Sequence, residues 1–159
     1  MNKSKLVQAI VEQLRAELEL FTKAARAAHA EATHEQSKAE NKYDTRGLEA
    51  AYLARGQSKQ AAEAEQAIKQ FEALPIRNFS KGDPIDVGAL VELRGRGEPA
   101  LYFIGPRAGG VEVLFDEREV TVITPQSPLG QQLYGRKQGE QIQIELAGTR
   151  DKYRIASVL

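Results

Sequence analysis

Lys69-Gln70-Phe71-Glu72-Ala73-Leu74-Pro75-Ile76-Arg77-Asn78-Phe79 is where this chain changes character. Ahead of Pro75 lie seventeen alanines and no proline; from Pro75 onward come all six prolines and eleven of the thirteen glycines. Alanine without proline is the composition of long helices, and proline with glycine punctuates short strands and turns. The break therefore predicts an α+β chain of two parts, a helical hairpin over residues 1–75 and a β-rich domain over residues 76–159. At 159 residues the chain is long enough for two small domains, which run from about 50 to 200 residues. The proline in Leu74-Pro75-Ile76-Arg77-Asn78-Phe79 predicts a restricted hinge.

Working back from the break, the stretch from about Arg46 to Leu74 is helical in composition. Leu48, Tyr52, Ala61, Ala64, Ile68 and Phe71 are its expected inward positions, and Asp44 or Thr45 its cap. A first helix from Asn2 to about Ala30 carries Val7, Ile10, Leu14, Leu18, Phe21, Ala25 and Ala28 on one stripe. The apolar pattern fades between Glu31 and Tyr43, which predicts a polar tip near residues 31–45 and antiparallel helices on either side of it. The spacing is too ragged for a strict heptad array, and Gly56 predicts a weak point in the second helix.

Working forward, periodicity falls to two. Strands are predicted at Ala89–Leu93, Ala100–Ile104, Val111–Phe115, Val120–Ile123, Gln141–Leu146 and Lys152–Ala156, forming one curved sheet. Ser127-Pro128 followed by Leu129-Gly130-Gln131-Gln132-Leu133-Tyr134-Gly135 is a capped short helix, with proline at its first position and glycine beyond its end. Leu129, Leu133 and Tyr134 are expected to pack it across the sheet.

Charge narrows the function. Lys+Arg and Asp+Glu number 22 each, with eleven of each before Pro75, so no broad basic surface is available for nucleic acid. Cysteine is absent, which removes disulfides, thiolate metal sites and cysteine nucleophiles. His29 and His34 stand five residues apart, on different faces of a helix, and are expected to be surface residues. No segment has the flanks of a signal peptide or the apolar length of a membrane span, so a cytoplasmic location is expected.

Ser127-Pro128-Leu129-Gly130 running into Leu133-Tyr134-Gly135-Arg136-Lys137-Gln138-Gly139-Glu140, after a helical hairpin, resembles the C-terminal signature of the Gre family of bacterial transcription elongation factors. Lys38-Ala39-Glu40-Asn41-Lys42-Tyr43 resembles the acidic patch at the Gre hairpin tip. The resemblance spans nearly the whole chain. It implies an antiparallel coiled-coil hairpin followed by an FKBP-like antiparallel sheet domain, docked at the secondary channel of bacterial RNA polymerase so that the hairpin reaches the active centre. Ser127, Pro128 and Leu129 would contact the polymerase at the channel rim, and Asn41 and Tyr43 would contact it from the tip. Glu40 and Asp44, with Glu35 nearby, would help hold a Mg²⁺ of the polymerase while it hydrolyses backtracked RNA, since Mg²⁺ takes hard oxygen ligands. The factor would have no cofactor of its own, would meet nascent RNA only within the polymerase, would not touch membrane and would act as a monomer; it would not itself be an enzyme.

The resemblance departs at Ser37, where Gre tips place an aspartate and a serine supplies no anionic ligand. Two versions follow: a cleavage factor using Glu40 and Asp44, and a non-cleaving regulator occupying the channel. Outside this family two readings stand. A prolyl isomerase would need an apolar pocket lined with aromatics, and residues 76–159 hold only six Phe and Tyr and no Trp. A plain interaction module would pair two hairpins through their alanine faces.

Overall fold

The computed structural model describes residues 2–38, 46–146 and 148–159. Two long helices open the chain, α1 (Lys3–Lys38) and α2 (Arg46–Glu72), and form a helical hairpin. Strands β1 (Leu90–Arg94), β2 (Ala100–Ile104), β3 (Glu112–Phe115), β4 (Arg118–Ile123), β5 (Gln141–Leu146) and β6 (Thr149–Val158) follow, with the short helix α3 (Pro128–Leu133) between β4 and β5. The chain divides into two compact units, Met1–Val11 with Lys69–Leu159, and Glu12–Ile68.

The hairpin differs from expectation in two ways. Helix α1 continues through Glu31 to Lys38, although its apolar stripe has ended by then. Residues 31–38 contain neither glycine nor proline and include Ala, Glu, Gln and Lys, so backbone propensity carries the helix on. The second difference concerns which face of α2 is inward. Of the expected inward positions Ala64, Ile68 and Phe71 are buried; Ala50, Ala54 and Ala67 join them, whereas Leu48 and Tyr52, expected inside, are 53% and 59% exposed. Small side chains let two helices approach closely, and a larger residue on that stripe would hold them apart; the alanines win the inward positions. Ala25, Arg26 and His29 of α1 share one open cavity with Ala51, Ala54, Arg55 and Ser58 of α2, beside Gly56. The helix runs unbroken through that glycine.

In the other unit the six strands form one sheet in the order β3-β4-β2-β1-β6-β5. Neighbours are antiparallel except β2 and β4, which run parallel with Leu101 opposite Val120 and Phe103 opposite Val122. The sheet is therefore mixed rather than wholly antiparallel. The reason is local: the chain leaves β2, skips one place to lay down β3, then folds back through a tight turn to fill the gap with β4. Two reversals restore the original direction.

Apolar residues cover both faces. Val91, Leu93, Ile104, Ile123, Ile142, Ile144, Ile155 and Val158 form one core with Phe79, Ile85 and Leu133 of α3. Residues of opposite parity, Leu90, Leu101, Phe103, Val120 and Val122, are buried on the other face. There the Phe71 ring lies 6.2 Å from that of Phe103. Full burial of each such side chain contributes about 1.5–3 kcal/mol. Glu92 of β1 is buried on this second face and is held by two cations, Arg94 and Arg118, each at 3.0 Å. Arg94 is thus part of a charge cluster that leaves no carboxylate oxygen of Glu92 unpaired.

The β3–β4 turn consists of Asp116 and Glu117, with φ of 49° and 62°. Two successive residues with positive φ make a type I′ hairpin, a geometry that favours Asn-Gly. Asp116→Asn with Glu117→Gly is expected to raise stability by about 1 kcal/mol, read as a higher midpoint in urea, because the strain of left-handed backbone is relieved.

Candidate functional site

The segment Thr124 to Glu140 is built almost entirely by its own sequence. Pro128 starts α3 with the fixed φ that a first helical position needs. Ser127 caps it: its hydroxyl accepts from the Gly130 N–H at 3.0 Å and donates to the Thr124 carbonyl at 2.7 Å. The Gln131 N–H reaches the Ser127 carbonyl at 2.8 Å, closing the first turn. Gln131 Nε2 donates to the Gln126 carbonyl at 3.0 Å. Gly130 permits this arrangement, since a Cβ built there would lie 1.8 Å from the Thr124 carbonyl oxygen.

Beyond the helix, Gly135 and Gly139 adopt φ of 81° and 92°. The first turn is stitched to the chain before β1: the Gly135 N–H donates to the Ile85 carbonyl at 2.9 Å and the Ile85 N–H to the Arg136 carbonyl at 2.7 Å. The second is stitched to β6 through Gly139 N–H to Ile155 carbonyl at 2.8 Å and Ile155 N–H to Glu140 carbonyl at 2.9 Å. The Glu140 carboxylate caps the Lys137 N–H and lies 3.7 Å from the Arg136 guanidinium.

What the segment leaves outward is small. Pro128 is exposed, Leu129 half-buried and Leu133 wholly buried. Tyr134, expected to help pack the helix, is 51% exposed. As the C-cap residue it has ψ of 127° and has already left helical geometry, so it does not share the inward face of Leu133. Pro128, Leu129 and Gln132 line a cavity of about 310 Å³ with Gln143, Ile144 and Glu145 of β5 and Arg150 of β6. The sequence singled out Pro128 and Leu129 but not Gln143 or Arg150. Exposed alternate positions on β5 place Gln143 and Glu145 on the solvent side, but only the pairing of β5 with β6 brings Arg150 opposite Glu145.

Ser127, Pro128 and Leu129 are thus contiguous, with the serine hydroxyl turned into the cap and the next two residues toward the cavity. Glu40, Asn41, Tyr43 and Asp44 lie outside the described residues. Among the described residues, no group of three or more His, Asp or Glu could hold a metal ion, and no helix is long and apolar enough to cross a membrane.

The fold and this segment define a class, a helical hairpin joined to a six-stranded mixed sheet that carries one capped short helix. No protein-family model matches the chain, and no curated protein matches it. Among solved structures it is similar to GreA factor homolog 1 (Gfh1) of Thermus thermophilus, at 21% identity over 94% of each chain with a TM-score of 0.39. It is also similar to Thermus aquaticus Gfh1, at 23% identity over 95% of this chain and 94% of that one, TM-score 0.41. A prokaryotic transcription elongation factor GreA/GreB from Nitrosomonas europaea is 19% identical over 74% of this chain and 94% of its own, TM-score 0.36.

Proposed function

We propose that this chain binds bacterial RNA polymerase at its secondary channel and modulates transcription elongation. The observation that carries the reading is the Ser127–Glu140 segment. Its Gre-like residues fold into one self-capped unit that fixes Pro128, Leu129 and Tyr134 on the surface, and the same chain supplies a helical hairpin. Helix α2 alone has 27 residues, about 40 Å at 1.5 Å per residue, a length suited to a reaching hairpin. Docking falls to the C-terminal domain, over residues 76–159, with Ser127, Pro128 and Leu129 at its contact. Asn41 and Tyr43 contact the polymerase from the hairpin end.

In this reading the factor is a cytoplasmic monomer without a cofactor of its own, and meets nascent RNA only inside the polymerase. It is not an enzyme: Glu40 and Asp44 would help hold a Mg²⁺ that belongs to the polymerase, and the ion would supply stabilisation of the attacking and leaving oxygens. Ser37 favours a second version, a non-cleaving regulator that occupies the channel, because a serine at that position withholds one anionic ligand.

The test is RNA cleavage by a backtracked elongation complex in Mg²⁺, with the wild type and with Glu40→Ala and Asp44→Ala. A cleavage factor loses at least about tenfold in rate in either variant. A regulator gives no cleavage but slows elongation. Failure to co-migrate with core polymerase at low salt overturns both versions.

A further inference from the structure

Strand β3 stands at one edge of the sheet and pairs only with β4. The Val122 N–H donates to the Val111 carbonyl at 2.8 Å. Alternation along an antiparallel pair then makes Val113 and Phe115 the next positions bonded to β4, and turns the backbone groups of Glu112 and Leu114 toward the open edge. Proteins blunt such edges with short strands and charged side chains, and β3 has four residues, Glu112 among them. Its centre breaks that rule: Leu114 is 76% exposed, the most exposed large apolar residue among those described.

The surroundings are mainly acidic. Leu114 sits opposite Glu119 and Glu112 opposite Thr121, while Asp116 and Glu117 form the turn. Arg118 is the single cation between residues 108 and 126, and it is engaged by Glu92 at 3.0 Å. Alongside β4, the strand paired with this edge, Glu98, Glu117 and Glu119 line a groove of about 460 Å³ with Tyr102, Thr121 and Arg118. An apolar side chain is thus ringed by carboxylates on a strand with unused backbone groups.

We propose that the β3 edge receives an extended, lysine- or arginine-rich strand of a protein partner, in which an apolar side chain covers Leu114 and cations meet Glu112, Asp116, Glu117 and Glu119. Backbone pairing supplies affinity in strand addition, and the alternate side chains supply selectivity. This surface is independent of the polymerase reading and of Ser127–Glu140.

The experiment uses the full chain and a fluorescein-labelled hexapeptide of alternating lysine and valine. Its control has proline in place of two valines, which keeps the charge and removes backbone donors. The alternating peptide is expected to bind at least about tenfold more tightly than the control. Leu114→Ser and Glu119→Lys should each weaken it several-fold, and amide resonances should shift within residues 111–121. Leu114→Thr, which keeps a strand-forming residue while removing apolar area, should weaken binding with an unchanged melting temperature. Equal binding of both peptides, indifference to the Leu114 variants, or shifts centred elsewhere overturns the proposal.

Discussion

Gly130→Ala is expected to destabilise the unit containing the sheet by more than about 3 kcal/mol, the range of a substitution that forces backbone to move. The added Cβ would stand 1.8 Å from the Thr124 carbonyl oxygen and 2.8 Å from the Ser127 hydroxyl oxygen. Neither contact can be relieved by rotating a side chain, because the first partner is backbone and the second is the cap itself. Shifting Thr124 also breaks the two bonds it accepts, from the Ser127 N–H at 3.0 Å and from the Ser127 hydroxyl at 2.7 Å. Chemical denaturation should show a lower midpoint. Ser127→Ala offers a graded comparison: loss of the cap alone costs about 1 kcal/mol.

The second large effect is expected from Lys3→Met, at about 2 kcal/mol. The Lys3 ammonium is buried and donates to three carbonyls, those of Arg77, Gly88 and Leu159, the last two at 2.9 Å. A methionine of similar length removes this donor from all three; the Leu159 carbonyl still accepts from the Leu90 N–H at 3.1 Å, and the other two cost about 1–3 kcal/mol for each acceptor left unpaired. Removal of a charge held beside another one offsets part of the loss, since Lys3 and Arg77 both lie over the Phe79 ring, at 4.8 and 4.1 Å. Burial first, and the Arg77 charge second, lower the Lys3 pKa to about 8.

That shift fixes a sign. Between pH 8 and the ordinary lysine value of about 10.4 the unfolded chain holds more protons than the folded one, so this group's contribution to stability rises with pH across that window. Below pH 8 both states are protonated and the full penalty of burying the charge remains. Urea midpoints of the wild type relative to Lys3→Met should therefore move in the wild type's favour from pH 8 to pH 10. A difference that stays flat, or moves the other way, would show that the three carbonyls hold the proton more strongly than burial expels it.

How much of this could be read in advance depended on whether the signal was local. Ala100–Ile104 and Gln141–Leu146 are strands with the limits their alternation indicates, and Ser127-Pro128 opens α3 as its chemistry requires. Each of these is decided by a few adjacent residues. Ala64, Ile68 and Phe71 of α2 are inward as expected, and the first half of the helix differs because hydrophobicity points to Leu48 and Tyr52, while close helix approach selects Ala50 and Ala54. The parallel pairing of β2 and β4 depends on chain order in space, which no short window contains. Glu92 illustrates the same limit: a charged residue in an apolar strand gave no hint that Arg118, 26 positions away, would reach it. In the candidate site, Pro128 and Leu129 were legible from the motif, and Arg150 became a neighbour only through sheet pairing.

The unit containing the sheet is discontinuous in sequence, with Met1–Val11 separated from Lys69–Leu159 by the whole of Glu12–Ile68. Lys3 finds one acceptor 156 residues away. During synthesis at about 5–20 residues per second, Leu6 and Ile10 must therefore wait several seconds with their apolar side chains uncovered. The intervening hairpin, made of local contacts, can form in that interval. A nascent chain of this design can mature the inserted unit before the unit that encloses it in sequence.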